Sequence, residues 1–317
     1  KAMPEHHRKL GLKVTTSNLC AEITLPTGID HLGNDRTAVC CLSSVNLEKW
    51  DEWNKNPDFI CDIMRFLDNV LEDYIQRAPD SMARARYSAM RERSVGLGTM
   101  GFHSYLQSKR IPFESALAKA FNLRVFKHIQ EQVNEASRIL ADERGPCPDA
   151  ADAGKHERFS CKTSVAPTAS ISIIAGGTSA CIEPIPANIY THKTLSGSHT
   201  VKNKYLDKVL REVAVDDKEL DQMWNSILEH GGSVQHLGYL TDAEKMVFKT
   251  SFEIDQRWLL EFAGDRAPKI DQAQSLNLFI EGNCDKWDLM MLHFDAWRRG
   301  IKSLYYLRSK SVQRAGF

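Results

Sequence analysis

Short apolar segments alternate with long amphipathic helices along this chain, and this alternation constrains the fold more than any other feature of the sequence. In residues 57–77, apolar side chains recur at three- and four-residue steps, which is the period of one helix face. A second long helix is predicted over residues 114–142, where it ends at a turn that contains glycine and proline. Shorter helices are predicted over residues 201–213, 218–230, 243–261 and 285–300.

Five segments between these helices are predicted to be buried strands, since each is apolar and flanked by glycine or polar residues. They are residues 38–45, 93–97, 163–166, 275–280 and 301–307. Strands that alternate with helices indicate an α/β fold with largely parallel strand pairing. No low-complexity linker or internal repeat divides the chain, so we predict one domain over residues 1–317, with residues 145–160 as a surface loop.

Composition and charge exclude several classes of protein. Of the 317 residues, 42% are hydrophobic and 26% are charged, which excludes a disordered or fibrous chain. The 41 basic and 41 acidic residues cancel, so no basic surface predicts nucleic-acid binding. No apolar stretch has the roughly 20 residues of a membrane span, and the first residues lack the apolar part of a signal peptide. Eight cysteines without a C-x-x-C pair argue against a disulfide framework and favour the reducing cytoplasm.

The segment S-N-L-C-A-E at residues 17–22 places an amide, a thiol and a carboxylate at alternate positions. In an extended or looped segment of this kind, Asn18, Cys20 and Glu22 would project from the same face. A nearby carboxylate disfavours the thiolate, so this thiol is a poor ionic nucleophile. It suits a thiol that reacts as a radical while the carboxylate moves a proton. Taken alone, however, the segment better fits a polar loop with one buried cysteine.

Residues 96–101 form a literal G-x-G-x-x-G after a short apolar segment. Dinucleotide-binding enzymes use such a turn to bring main-chain N–H groups to a pyrophosphate at the start of a helix. The acidic residue that such a site needs about 20 positions later is missing, because that region is the long helix. We therefore interpret the glycines as a tight packing turn between a strand and a helix.

A hydroxyl-rich turn, A-P-T-A-S-I-S at residues 166–172, follows one of the predicted strands. A strand that ends in small hydroxyl residues and opens a helical turn presents unpaired N–H groups, which bind phosphate without a lysine. An ordinary capped helix start fits the same residues equally well.

Two pairs of adjacent residues are also candidates for function, namely Tyr305 with Tyr306 and Cys40 with Cys41. Adjacent aromatic side chains on a strand usually pack on opposite faces, and adjacent buried cysteines are mostly inert. Taken alone, each pair therefore fits ordinary core packing.

Taken together and in this order, these segments resemble the catalytic large subunit of class I ribonucleotide reductase. The resemblance extends over nearly the whole chain, and its most specific parts are the cysteine segment and the tyrosine pair. It rests on S-N-L-C-x-E-I-x-L-P-T at residues 17–27, C-x-L-S-x-x-N-L at 40–47, V-G-L-G-x-M-G-F-H at 95–103, P-T-A-S-I-S at 167–172, I-E-P at 182–184 and L-Y-Y-L-R at 304–308.

The resemblance implies a ten-stranded α/β barrel made of two five-stranded halves, with the radical cysteine on a finger loop inside it. This chain then corresponds to the finger loop, near its N-terminus, and to the second half-barrel. The N-terminal half, the allosteric specificity site, the ATP cone and the C-terminal cysteine pair of the family are not expected in it. We therefore expect that the chain does not turn over alone and needs the N-terminal half.

The resemblance also implies a role for each candidate catalytic residue. Cys20 would carry the thiyl radical that abstracts the 3′-hydrogen of the ribose. Glu22 would take the proton of the 3′-hydroxyl, and Asn18 would hold the ribose hydroxyls. Cys40 would be the reducing cysteine, whose partner lies upstream in the family. Cys41 is a poor substitute for that partner, because a disulfide between adjacent cysteines is strained.

Substrate binding and radical transfer are assigned from the same resemblance. The substrate-binding residues would be Ser17, Thr168, Ala169, Ser170 and Ile171. The last four form the turn that would bind the diphosphate of the substrate. Tyr305 and Tyr306 would relay the radical from a small, metal-containing subunit.

The reaction implied is the reduction of ribonucleotides, expected as diphosphates, to 2′-deoxyribonucleotides. No metal or cofactor is expected on this chain, because the small subunit supplies the radical and nucleotide effectors bind the N-terminal part. The expected partners are the ribonucleotide, the small subunit, the N-terminal half of the large subunit, and thioredoxin or glutaredoxin. We expect an oligomer that binds neither nucleic acid nor membrane. Two alternatives stay open: an adenosylcobalamin-dependent reductase, which needs no tyrosine relay, and a non-catalytic nucleotide-binding scaffold chain.

Overall fold

The structure is a computed structural model that describes residues 3–194 and 197–310. Its strands in these ranges are β1 (Gly28–Ile29), β2 (Asp35–Arg36), β3 (Leu42–Asn46), β4 (Gly96–Met100), β5 (Ile189–Thr194), β6 (Gly197–Lys202), β7 (Leu278–Glu281) and β8 (Leu307–Lys310). Its α-helices there are α1 (Glu5–Lys9), α2 (Trp50–Trp53), α3 (Phe59–Arg77), α4 (Ala83–Glu92), α5 (Phe102–Ser108), α6 (Ala116–Arg144), α7 (Pro148–Asp152), α8 (Ile171–Ile174), α9 (Lys204–Val213), α10 (Asp217–Glu229), α11 (Asp242–Val247), α12 (Gln256–Arg266) and α13 (Lys286–Arg298). Within these ranges, no helix combines the length and the hydropathy that a bilayer crossing requires.

Five segments lie side by side in parallel and form the sheet that carries the candidate site. β3 pairs in parallel with β4, and β7 pairs in parallel with β8. Residues 163–165 lie between the two pairs, through parallel bridges from Thr163 to Leu97 and from Val165 to Gln274. The spatial order of the five segments is therefore their order along the chain. This arrangement confirms the predicted α/β class and the parallel pairing.

The predicted strands correspond to these five segments, but their bounds differ. The strands predicted over residues 38–45, 93–97 and 275–280 overlap β3, β4 and β7. The strand predicted over residues 301–307 shares only Leu307 with β8, and β8 is exposed, so the predicted burial of this strand is wrong. The strand predicted over residues 93–97 cannot begin at Arg93, because that residue ends α4 in the left-handed region with φ 42°. In the strand predicted over residues 163–166, only the two isolated bridges form.

The helix predicted over residues 243–261 is wrong, because two helices occupy this region. α11 ends at Val247 and α12 begins at Gln256. The side chain of Asp255 caps α12 by accepting a hydrogen bond from the N–H of Arg257 (2.9 Å). Apolar residues continue at helical spacing through the break, so the period alone did not reveal it.

Three other features differ from the sequence prediction. The helix predicted over residues 201–213 begins only at Lys204, because Asn203 caps it and the preceding residues belong to β6. β5 and β6 form an antiparallel hairpin that was not predicted, since β6 is largely exposed and shows no apolar alternation. The surface loop predicted over residues 145–160 contains the short helix α7.

One face of α3 and one face of α6 form the largest hydrophobic core, together with β3 and β4. Both helices are confirmed within two residues of their predicted bounds. α6 begins after Ser115, whose hydroxyl oxygen accepts a hydrogen bond from the N–H of Ala118 (3.1 Å). It ends before Gly145, which has a φ of 83° that favours glycine. These two helices therefore support the strands from one side.

The glycine segment at residues 96–101 serves close packing, as predicted, but most of it is strand β4 and only Gly101 forms the turn into α5. Gly98 lies within β4, where an added Cβ would be 2.3 Å from the carbonyl oxygen of Ser164. Gly101 turns the chain into α5 with a φ of 80°, and a Cβ there would be 2.4 Å from Oδ1 of Asn46. Close approach of neighbouring chain segments therefore requires these glycines.

We expect Gly98→Ala to destabilise the sheet, because the added methyl group would overlap the main chain at Ser164. Overpacking of this kind costs about 1–3 kcal/mol of the free energy of unfolding. Gly238→Ala is the matched control, since nothing lies within 4 Å of a Cβ at that exposed position. Denaturant unfolding of both variants measures the effect, and an unchanged midpoint for Gly98→Ala would contradict it.

Candidate active site

The finger loop, residues 17–23, is a closed turn with Cys20 near its tip. The N–H of Ala21 donates to the carbonyl of Asn18 (3.1 Å), and the N–H of Ile23 donates to the side-chain oxygen of Asn18 (3.0 Å). Ala21 adopts a left-handed φ of 66°. The sequence predicted an extended or looped segment, and the structure shows a loop. Asn18 uses its amide oxygen to close the loop, because short amide side chains compete for nearby main-chain donors.

Glu22 places a buried carboxylate beside the loop tip. The residue is only 2% exposed, and its Oε2 has no hydrogen-bond partner among the residues that the structure describes. A buried polar atom without a partner costs free energy, and such atoms concentrate at functional sites. This oxygen is available to accept a proton from a molecule bound at the loop.

Cys40 shares the site with the loop, whereas Cys41 does not. Partial burial, together with the neighbouring Glu22 carboxylate and Cys20 thiol, raises the pKa of the Cys40 thiol to about 11. The Cys41 side chain is buried on the other side, where its Sγ lies 3.8 Å from the carbonyl oxygen of Leu67. The two adjacent cysteines therefore occupy different environments, and only Cys40 can meet Cys20. All eight cysteines are free thiols.

Tyr305 and Tyr306 stack on each other instead of packing on opposite faces. Their ring centroids are 4.0 Å apart, with an angle of 34° between the rings. The side chain of Tyr306 raises the pKa of Tyr305, and partial burial and the thiol of Cys20 raise it further. Tyr306 is 47% exposed. Tyr305 therefore lies between Cys20 and an accessible second phenol, which is the order that a radical relay needs.

The hydroxyl-rich turn carries free main-chain donors. The N–H groups of Ala169, Ser170 and Ile171 make no hydrogen bond to any residue in the described ranges. Thr168 has a left-handed φ of 51°, and its Oγ1 accepts a hydrogen bond from the N–H of Cys181 (2.7 Å). The turn therefore has a fixed shape and three N–H groups that an anion can bind.

The turn and the finger loop are connected through two further residues. The thiol of Cys181 donates to the carbonyl of Ser275 (3.4 Å), and the Ser275 hydroxyl donates to the carbonyl of Cys20 (2.5 Å). Ser17 uses its own hydroxyl within the loop, where it donates to the carbonyl of Ile23 (2.7 Å). The predicted contact between Ser17 and the substrate stays a prediction.

Two residues that the sequence did not assign lie behind the tyrosine pair. Glu183 is buried and accepts hydrogen bonds from the N–H (2.6 Å) and the side-chain amide (3.0 Å) of Asn277. The side-chain oxygen of Asn277 in turn accepts a hydrogen bond from the N–H of Tyr306 (3.0 Å). Burial raises the pKa of Glu183 to about 7. The sequence signal that could have identified Glu183 is its acidic side chain between the apolar residues of the I-E-P segment at residues 182–184.

One group of possible metal ligands occurs in the described part of the chain, formed by His31, Asp149 and Asp152. Arg36 donates to one oxygen of Asp149 (2.5 Å), and Arg91 donates to the other (3.0 Å). The arginines neutralise the carboxylate and occupy its oxygens, so this group is an ion-pair network. The expectation that the chain binds no metal stays a prediction.

Fold and site together define a class of protein, a parallel α/β domain in which a cysteine loop lies beside a pair of tyrosines. The sequence model of the family "Ribonucleotide reductase, barrel domain" matches residues 4–157 and 152–307, which is nearly the whole chain. The chain belongs to this family.

Individual relatives agree with the family assignment. The ribonucleoside-diphosphate reductase large subunit of Invertebrate iridescent virus 6 is 47% identical over 298 residues, which are 93% of this chain and 30% of that protein. The ribonucleoside-diphosphate reductase large chain 2 of Saccharomyces cerevisiae is 31% identical. This match extends over 95% of this chain and 38% of that protein. The class Id ribonucleotide reductase alpha subunit of Actinobacillus ureae superposes with a TM-score of 0.88 at 38% identity, over 98% of this chain and 56% of that chain. The chain thus spans between about a third and a half of these relatives.

Proposed function

We propose that this chain supplies the finger loop and the second half of the catalytic barrel of a ribonucleotide reductase large subunit. The proposed reaction is the reduction of ribonucleoside diphosphates to 2′-deoxyribonucleotides by thiyl-radical chemistry. The observation that carries the proposal is that Cys40 and Tyr305, which lie far from the finger loop in the sequence, come close to Cys20 of that loop, and that Glu22 lies beside Cys40.

Each of these groups has the chemistry that its proposed role requires. Cys20 receives the radical from Tyr305 and abstracts the 3′-hydrogen of the ribose. The unpaired Oε2 of Glu22 accepts the proton of the 3′-hydroxyl, so that the 2′-hydroxyl leaves as water. The raised pKa of Cys40 keeps its thiol protonated, as a hydrogen and electron donor to the substrate radical must be. A cysteine from the N-terminal half completes the disulfide that this reduction forms.

The hydroxyl-rich turn is the proposed site for the diphosphate. Three free N–H groups next to the start of α8 provide donors for phosphate oxygens without the need for a lysine. The link through Cys181 and Ser275 fixes this turn relative to Cys20. A diphosphate bound there would hold the ribose at the loop tip.

The proposed partners follow from the relatives and from the tyrosine pair. The related proteins are named large subunits or large chains, so we propose a small, metal-containing subunit as the source of the radical. Tyr306 is the proposed entry point, because its ring is accessible and stacks on Tyr305. This relay favours the proposed chemistry over the cobalamin-dependent alternative. We place the protein in the cytoplasm, where thioredoxin or glutaredoxin would restore the cysteines.

We expect this chain to need the N-terminal half of the large subunit for activity. β3 and β8 each pair on one side only among the described residues, and such strand edges are prone to association. Expressed alone, the chain should aggregate or form no deoxynucleotide. When it is co-expressed with the N-terminal half of a class I large subunit, the chain should form deoxynucleotide. The assay then also contains the small subunit, a nucleoside diphosphate and a dithiol.

The same assay separates the competing functions. A soluble, monomeric and fully active chain would disprove the need for a second half. Nucleotide binding without deoxynucleotide formation in the complete assembly would favour a scaffold role. Activity that depends on adenosylcobalamin and not on the small subunit would favour the other class of reductase.

A further inference from the structure

Three serine hydroxyls bind three consecutive carbonyl groups of the finger loop. The pairs are Ser275 with Cys20 at 2.5 Å, Ser303 with Ala21 at 2.6 Å, and Ser164 with Glu22 at 2.8 Å. These loop-binding serines (Ser164, Ser275 and Ser303) come from three different parallel segments of the sheet. The loop is therefore attached at successive residues to three places that are far apart in sequence.

Side chains provide most of this attachment, because the loop is not a strand of the sheet. One main-chain bond contributes, in which the N–H of Ala273 donates to the carbonyl of Glu22 (2.9 Å). Ser164 and Ser275 are almost completely buried. Buried hydroxyl-to-carbonyl bonds hold a segment firmly, since breaking one leaves both groups without a partner.

The attached carbonyls flank a strained residue. Ala21 has a left-handed φ of 66°, a conformation that alanine rarely adopts and that persists only when its surroundings fix it. The Ser303 hydroxyl binds the carbonyl of this residue, next to Cys20. Loss of that hydroxyl would allow the loop tip to relax and the Cys20 thiol to move.

The same segments also fix Tyr305. Ser303 precedes Tyr305 by two residues, so the short segment that binds the carbonyl of Ala21 also carries Tyr305. The N–H of Tyr305 donates to the carbonyl of Leu276 (2.8 Å), the residue that follows Ser275. The segments around Ser275 and Ser303 therefore set the position of Cys20 relative to Tyr305. The hydrogen bond from Tyr305 to Leu276 joins these two segments to each other.

We propose that the loop-binding serines are positioning residues that hold Cys20 in register with Tyr305 for radical transfer. Their hydroxyls bind main-chain carbonyl groups of the loop, so they act on Cys20 through that main chain. This inference rests on the proposed function, because it specifies how the radical site is kept in place.

The test compares Ser303→Ala and Ser275→Ala with the wild type in the full large subunit, assembled with its small subunit. We expect kcat for deoxynucleotide formation to fall about a hundredfold in each variant, as for other displacements of about 1 Å in reacting groups. KM should change less than about twofold in Ser303→Ala, because the Ser303 hydroxyl binds Ala21 and no residue of the diphosphate turn. Ser303→Thr keeps the hydroxyl and should recover most of kcat.

A readout without catalysis tests the same point. Amide hydrogen exchange of residues 19–23 should accelerate at least about tenfold in both alanine variants, because local opening of the loop becomes less costly. Ser88→Ala is the matched control, since it removes a buried hydroxyl that donates to the carbonyl of Arg84 (3.0 Å) and accepts from the N–H of Thr37 (2.9 Å), neither of which belongs to the finger loop. This control should lower the melting temperature without changing kcat or the exchange of the finger loop.

The outcomes separate the positioning role from the proposed function. Wild-type kcat and loop exchange in Ser303→Ala and Ser275→Ala would overturn the positioning role. A parallel loss of kcat and melting temperature in Ser88→Ala would also overturn it, because the effect would then be general destabilisation. If the wild-type assembly makes no deoxynucleotide, the proposed function fails, and the exchange data alone decide whether the serines hold the loop.

Discussion

Cys20→Ser is expected to abolish deoxynucleotide formation while leaving nucleotide binding and folding intact. Serine is close to cysteine in size, so the half-buried loop tip can accommodate it with little change in packing. The O–H bond of serine is too strong, however, for a tyrosyl radical to abstract its hydrogen. No radical therefore forms at position 20. Release of isotope from a substrate labelled at the 3′ position should therefore stop together with product formation.

Cys40→Ser is expected to stop the reaction at a later step. Cys20 can still abstract the 3′-hydrogen, and Glu22 can still accept the proton, because neither side chain depends on Cys40 for a hydrogen bond in the described structure. Without the Cys40 thiol, the intermediate that has lost its 2′-hydroxyl is not reduced. Isotope release from the 3′ position should therefore continue while the free base is released in place of a deoxynucleotide.

Cys41→Ser is the control for both variants. Its thiol lies in the core near the carbonyl of Leu67, so this change should affect stability and leave both the abstraction and the reduction step intact. If Cys20→Ser and Cys40→Ser merely weakened nucleotide binding, or if Cys41→Ser reproduced either phenotype, the assignment of the two thiols would be wrong.

The fold was predictable from the sequence wherever burial gave a regular pattern. α3 and α6 each have one apolar face, and β4 lies in an apolar stretch of the sequence and is buried along its whole length. The break between α11 and α12 was not predictable, because apolar residues keep a helical spacing across it. The hairpin of β5 and β6 was missed for the opposite reason, since its exposed residues leave no apolar pattern to detect.

The candidate site was predictable only where its chemistry shows in a local motif. Cys20 and Glu22 lie two residues apart, and the tyrosines are adjacent, so a short pattern contains them. The loop-binding serines left no such signal, because Ser303 is 282 residues away from Ala21 and Ser275 is 255 residues away from Cys20. The role of Asn18 in closing the loop was missed because alternation was applied to a segment that forms a turn.

Tyr305→Phe and Tyr306→Phe are each expected to abolish turnover without a change in folding or substrate affinity. A direct transfer of the radical to Cys20 from another subunit is too slow over tens of ångströms, so oxidisable side chains must bridge the gap. A phenol passes its proton together with the electron and thereby avoids a charged intermediate in a poorly solvated site. Phenylalanine cannot be oxidised at the required potential, so turnover stops. Because tyrosine and phenylalanine differ by one oxygen, the volume of the side chain hardly changes and folding should be preserved.

The geometry of the pair makes the two substitutions equivalent in effect. With the ring centroids 4.0 Å apart and Tyr305 next to Cys20, each ring is a necessary step and neither has a substitute beside it. The measurement is deoxynucleotide formation by the reconstituted enzyme, together with nucleotide binding. Tyr239→Phe provides the control, because this tyrosine is 39% exposed and belongs to neither the finger loop nor the pair. Wild-type turnover in either Tyr305→Phe or Tyr306→Phe would remove that residue from the relay, and its stacking would then serve packing alone.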